Sequence, residues 1–227
     1  MRVPNRAIRA LLACMALVAA HPHARAAGGH HSVDDAAIMD PGQCKVEAWA
    51  ESSREDVESL FHLGPACRIG PVELGLNLDR VRFTEGAGET SGGPRVKWAG
   101  PLVGGLSIGL EGNATWKKGS PSYVGSTVVV PLTWQASETL AVHLNAGRDF
   151  LAGAPDLSRS GISAEWTPLA AWSFVAERFR ESDANFWRLG ARWNLTEEIT
   201  LDLSRASRLQ GGATGWWTLG LTWTFSR

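Results

Sequence analysis

The chain has 227 residues, with 22 Lys plus Arg against 23 Asp plus Glu, 25 Gly and 11 Trp, which is room for one domain or two small ones. A near-neutral balance with 20% charged residues excludes both the basic excess of a nucleic-acid binder and the hydrophilic bias of a disordered chain. After residue 20 no apolar run reaches 18 residues, which excludes a spanning helix, and the many glycines and tryptophans predict short strands instead.

Arg2, Arg6 and Arg9 precede the apolar run 10–20, and Ala24-Arg25-Ala26 follows with small residues at cleavage spacing. This predicts a secretory signal peptide over residues 1–26, because a run of 11 residues falls well short of the roughly 20 needed to span a bilayer. Leu11-Leu12-Ala13-Cys14 has the shape of a lipobox, but apolar sequence continues past Cys14, where a lipoprotein would already be mature. Cleavage after Ala26 removes four Arg and no acid, leaving 18 basic and 23 acidic residues, a net of −5.

Residues 27–43 are expected to form a flexible N-terminal segment. His30, His31, Asp34 and Asp35 place two imidazoles and two carboxylates within six residues, a donor set suited to copper, nickel or zinc. With cleavage after Ala27, Gly28-Gly29-His30 would offer an amine, two amides and an imidazole to square-planar Cu(II) or Ni(II). The other reading of this stretch is a plain tether. The signal peptide takes Cys14 with it and leaves Cys44 and Cys67, an even pair that an exported chain is expected to bridge. If residues 46–50 and 61–65 form a hairpin around Glu55-Asp56, residues whose numbers sum to 111 face each other, and 44 plus 67 is 111. The two cysteines are then direct cross-strand neighbours.

From Cys44 onward, twelve segments alternate with period two, at about 44–51, 59–69, 72–82, 94–100, 105–116, 122–134, 139–148, 159–167, 170–180, 185–195, 198–206 and 215–226. The last is the clearest: Trp217, Leu219, Leu221, Trp223 and Phe225 share one face, and Thr218, Gly220, Thr222, Thr224 and Ser226 the other. Connections after even-numbered segments are tight, such as Gly70-Pro71 and Pro168-Leu169, whereas those after odd-numbered segments are polar or glycine-rich and often longer, as in 85–93 and 151–158. Trp98, Trp134, Trp166, Trp193 and Trp223 recur at spacings of 36, 32, 27 and 30 residues, one per hairpin, each near a short turn or the C terminus. An indole has an apolar ring and a polar N–H, which suits a membrane–water interface. Trp116, Trp187, Trp216 and Trp217 fall nearer the opposite end and are candidates for a second girdle.

With these features the chain resembles the Gram-negative outer-membrane β-barrel proteins, over about residues 44–227. The resemblance implies an all-β, antiparallel, up-and-down transmembrane barrel of about 12 strands, with short periplasmic turns and longer extracellular loops. It also implies outer-membrane lipid and the barrel assembly machinery as partners, with no nucleic acid. Ser226 and Arg227 follow the final Phe225, a departure from the terminal aromatic that assembly machinery usually reads. Alternation by itself fits a second fold equally well, a soluble lipocalin-like barrel or sandwich with its apolar face inward.

The polar face predicts a lumen lining of both signs: Glu47, Glu73, Asp79, Glu111, Glu165, Glu177 and Asp202 against Arg95, Lys97, Arg188 and Arg192, with Asn113, His143 and Asn145 among them. In a narrow barrel such charges form an internal ion-pair network, or they line a passive channel for small polar solutes. Side chains or an N-terminal plug would also fill the space. No Walker loop or Cys-x-x-Cys pair occurs. An outer-membrane enzyme would therefore need a Ser, a His and an acid brought together by the fold near the outer rim.

Overall fold

The computed structural model describes residues 30–54, 57–119, 122–210 and 215–227. The expected signal peptide and the Glu55-Asp56 turn lie outside the described residues. Twelve strands follow one another: β1 (Gln43–Arg54), β2 (Val57–Ile69), β3 (Val72–Phe83), β4 (Glu89–Pro101), β5 (Leu106–Lys117), β6 (Tyr123–Gln135), β7 (Leu140–Leu151), β8 (Leu157–Leu169), β9 (Trp172–Glu181), β10 (Ala184–Asn194), β11 (Ile199–Arg208) and β12 (Gly215–Ser226). Each pairs antiparallel with its neighbours in sequence, and β1 closes on β12 from Gln43↔Ser226 to Ser52↔Trp217. Closure leaves no edge strand, so backbone N–H and C=O groups are satisfied within the wall.

The strands run further than the alternation suggests. The glycine-rich stretch 89–93 is part of β4, and β8 begins at Leu157, so the connections at that end shrink to 84–88 and 152–156. Ladder hydrogen bonds, not side-chain pattern, set where a strand stops, and glycine still carries the N–H and C=O that a ladder needs. The β9–β10 turn has only two residues, Ser182 (φ 50°) and Asp183 (φ 59°). Both central residues are left-handed, as a tight hairpin whose twist matches its strands requires.

Burial sorts the alternation into two environments, and the sorting is inverted relative to a soluble protein. The outward set includes Leu74, Leu76, Leu78, Leu110, Leu144, Leu203, Leu219 and Leu221, each exposed. The buried set includes Glu47, Glu73, Lys97, Glu165, Glu177, Arg188, Arg192 and Asp202. A soluble barrel with its apolar face inward is thereby ruled out as the packing of this chain. Trp98, Trp134, Trp166, Trp193 and Trp223 all project outward near the short-turn end, each at least 42% exposed, and Trp193 stacks on Trp172 with ring centroids 5.6 Å apart. Trp216, a candidate for the opposite girdle, instead points inward and is 1% exposed. Its N–H donates to Glu51 at 3.0 Å, and its ring packs edge-on against Phe186 at 5.4 Å. The adjacent Trp217 takes the outward position, because neighbours on a strand point to opposite faces.

Cys44 and Cys67 are cross-strand partners in the β1–β2 ladder and are disulfide-bonded, with a Cα–Cα distance of 4.0 Å. They lie on the outward alternation at the short-turn end, with Cys44 opposite Phe225 of β12. The bond ties β1 to β2 next to the seam that closes the barrel. Denatured, unreduced protein is expected to expose no thiol among the described residues to an alkylating reagent and two after reduction. Cys44→Ser/Cys67→Ser is expected to lower stability by about 3 kcal/mol, read as a lower temperature at which the closed form unfolds in a gel-shift series.

Candidate functional site

The lumen is occupied by the chain's own N-terminal segment. Residues 30–39 run down inside the barrel toward the short-turn end, and a turn at 40–43 reverses the chain into β1. Gln43 N–H donates to the Asp40 carbonyl at 3.1 Å, and Gly42 takes φ 83°, a left-handed value that glycine accepts without strain. The stretch read from sequence as a flexible tether is thus, from His30 to Met39, a packed plug: Val33 is 0% exposed, and His30, His31, Asp35, Ala36 and Met39 are all buried.

A segment inside a closed barrel has no strand edge to pair with, so its backbone must find side chains. Glu177 accepts from the Val33 and Ser32 amides at 3.1 and 3.5 Å. Thr133 accepts from Ala36 N–H at 2.8 Å, and Glu73 from Met39 N–H at 2.8 Å. Arg68 donates to the Met39 carbonyl at 2.6 Å, and Arg188 donates to the His30 carbonyl. The Asn145 amide, oriented to complete its bonds, accepts from Asp34 N–H at 2.6 Å and donates to the Asp34 carbonyl at 2.9 Å. Side chains follow the same logic: Lys97 reaches Asp35 at 2.9 Å, and Ser204 shares a 2.7 Å hydrogen bond with His30 Nε2. His31 lies between Glu177, at 3.5 Å, and Asp202, at 3.9 Å. These partners come from β2, β3, β4, β6, β7, β9, β10 and β11, so the plug is held around most of the wall.

Three inward glycines provide its clearance. A Cβ on Gly161 would lie 2.5 Å from Val33 Cγ2, one on Gly190 3.3 Å from His31 Cε1, and one on Gly220 3.1 Å from His30 Nδ1. Val33 then seats against Phe179, Ala184, Phe186, Ala206 and Trp216, an apolar cluster inside an otherwise polar lumen.

All the residues expected to line the lumen lie on the inward alternation. Glu73, Lys97, Asn145, Glu177 and Arg188 grip the plug. Others pair with one another: Arg192 binds Asp202 at 2.9 Å and Glu165 at 3.4 Å, and Glu47 takes Lys45 at 2.8 Å and Arg95 at 3.5 Å. Arg188 bridges Glu51 and Glu177 at 3.5 Å each. Asp79 pairs with His62 at 2.7 Å, and His62 stacks on Trp49 with centroids 4.7 Å apart. Arg68, Thr133 and Ser204 were not singled out from sequence, because a polar residue on a lumen face carries no mark of what it will touch.

Above the plug, toward the opposite end, the lumen opens into a cavity of about 370 Å³. His30, His31, Ser32 and Asp34 form its floor, and Glu111, Asn113, Arg95 and Trp49 are in its wall. Glu111 Oε2 is buried there with no hydrogen-bond partner. Below the floor the lumen is filled: Asp35, Thr133, His143, Ser163, Glu165 and Ser173 are all buried.

Thr133, His143 and Glu165 fall in a row, with the Thr133 hydroxyl 2.8 Å from His143 Nδ1 and His143 Nε2 3.7 Å from Glu165. The row is sealed under the plug, and Thr133 already accepts the Ala36 amide, so its oxygen is not offered to a substrate. Among the described residues no group of three or more His, Cys, Asp and Glu is placed to hold a metal ion. His30 and His31 are instead stacked at 4.6 Å and used to anchor the plug; Gly28 and Gly29 lie outside the described residues.

The chain belongs to the family described as "Uncharacterised conserved protein UCP029691", which it matches over residues 15–225. No curated protein sequence matches it. Among solved structures its fold is similar to that of the KdgM porin (TM-score 0.62, 10% identity, covering 80% of this chain and 99% of that one). It is also similar to the COG4313 outer membrane channel from Pseudomonas putida F1 (0.61, 11%, 84% and 98%) and to the NanC porin (0.59, 11%, 79% and 98%). The chain therefore has the fold of the outer-membrane β-barrel channels.

Two substitutions probe this interior. Arg192→Met strands Asp202 and Glu165 and is expected to cost about 3–5 kcal/mol, with much of the loss recovered in Arg192→Met/Asp202→Leu. Gly161→Leu is expected to expel the plug while leaving the barrel closed, read as new protease cleavage within residues 30–42 at an unchanged heat-dependent gel shift.

Proposed function

We propose that the protein resides in the bacterial outer membrane, reached through a signal peptide over residues 1–26, as a channel for small polar solutes that its own segment 30–42 holds closed. The observation that carries this reading is the inverted polarity of a closed barrel, apolar outward and charged inward. A water-filled or water-exchangeable lumen needs such a lining, and lipid needs such an exterior.

The lining also implies a preference. Among the described residues, the buried acids are Asp35, Glu47, Glu51, Glu73, Glu111, Glu165, Glu177 and Asp202, against the buried cations Lys45, Lys97, Arg188 and Arg192. Without the plug's own Asp35, seven wall carboxylates against four buried cations still leave the lumen acid-rich, so cations or zwitterions are favoured over anions once the plug moves. The periplasmic end is the short-turn end, where both β1 begins and β12 ends, so both strand termini face the compartment from which the chain is delivered.

Cell fractionation is expected to recover the protein with the outer membrane, and detergent extracts are expected to migrate faster unheated than boiled. In planar bilayers the full mature chain is expected to show little conductance and a deletion of residues 30–40 to show stepwise conductance, with a reversal potential in a KCl gradient that favours K⁺. A deletion variant that inserts and closes but never conducts would overturn the channel reading in favour of a structural barrel.

A further inference from the structure

The outward face carries charge at one end only. On β7 to β12 every Asp and Glu within a strand (Asp149, Glu165, Glu177, Glu181 and Asp202) lies on the inward alternation. Outward, the strands present Arg148 on β7, Arg178 and Arg180 on β9, and Arg205 on β11, all at the end opposite the short turns. Ladder register makes them neighbours. Arg148 faces Ser158, Arg180 faces Ser160, Arg178 lies opposite Trp187, and Arg205 lies opposite Trp217 with its guanidinium 5.2 Å from the ring centroid.

The acids near this patch are in the connections: Asp156 beside Arg148 and Asp183 beside Arg180. Both are solvent-exposed pairs, with the Arg148 and Asp183 side chains 57% and 71% exposed, and such pairs hold their partners weakly. At the short-turn end the same outward faces have indoles and no charged side chain. Four arginines, two serines and two indoles thus sit just beyond a band of outward leucines.

We propose that this patch binds the phosphate groups of lipid headgroups in the leaflet at the long-loop end. The inference rests on the outer-membrane reading above. At that depth a guanidinium meets headgroups, and its planar fork matches phosphate oxygens in a two-point contact that a lysine does not give. Ser158 and Ser160 add hydroxyl donors between the arginine rows, and Trp187 and Trp217 brace the neighbouring acyl–headgroup boundary. With no outward acid on these strands, and Asp156 and Asp183 confined to the connections, the surface carries a net positive charge and favours an anionic partner.

Native mass spectrometry of the full mature chain in detergent, titrated with lipid A and separately with phosphatidylcholine, tests this. Lipid A carries two phosphates without a compensating cation. The native chain is expected to retain lipid A in preference to phosphatidylcholine. Arg148→Gln/Arg178→Gln/Arg180→Gln/Arg205→Gln is expected to retain lipid A at least about tenfold more weakly, with phosphatidylcholine binding unchanged. The pair Arg178→Gln/Arg180→Gln, which leaves half the patch, is expected to fall between and serves if the fourfold variant does not close. A variant that keeps its heat-dependent gel shift and binds lipid A as tightly as the native chain overturns the inference alone. A native chain that needs no detergent and shows no shift overturns the membrane reading and this inference with it.

Discussion

Closure of the sheet is the constraint from which the rest follows. A strand edge facing lipid would leave N–H and C=O groups with no partner, at several kcal/mol each, and the β1–β12 ladder removes both edges that the open sheet would otherwise have. Once closed, the wall converts a two-residue alternation into two solvents. Leu219 and Leu221 meet one of them, and Thr218 and Gly220 the other, although they are neighbours on β12.

The inner solvent is small, and that governs its chemistry. Charges in a narrow lumen lose most of their water and must be neutralised locally, so Arg192 lies between two carboxylates and Glu47 between two cations. The plug takes part in the same accounting. Lys97 faces Asp35, and Glu177 receives two plug amides along with Arg188 and His31. Plug and wall are one polar network, fixed by contacts between residues 29 to 174 positions apart in the chain. Displacing the plug would have to exchange these bonds for water, which the cavity above it already admits.

The fold therefore combines a rigid cylinder with an insert whose grip is largely polar, with Val33, Ala36 and Met39 as its buried apolar side chains. Gly161, Gly190 and Gly220 show that the wall has been relieved of side chains where the insert passes. They lie on β8, β10 and β12, alternate strands of one side of the barrel. The opposite side, β1 to β5, contributes the larger lumen side chains that frame the cavity, Trp49, Arg95 and Glu111 among them.

The sequence by itself determined the wall. All twelve strands, the division of the strand residues into two faces, the five tryptophans of the short-turn girdle and the pairing of Cys44 with Cys67 follow from period two and a hairpin sum, because strand geometry is local and repeats every two residues. It did not determine which face meets water, since an apolar-out barrel and an apolar-in barrel write the same string; closure around a charged interior decided that. Nor did it determine the plug. His30 to Met39 have no periodicity, and their partners Arg68, Thr133, Asn145, Glu177 and Ser204 are scattered over strands that only the closed cylinder brings around one axis. Trp216 shows the boundary between the two kinds of knowledge: its place in the chain grouped it with Trp217 as a girdle candidate, but the packed lumen, with Phe186 beside it and Glu51 accepting its N–H, turns this indole inward.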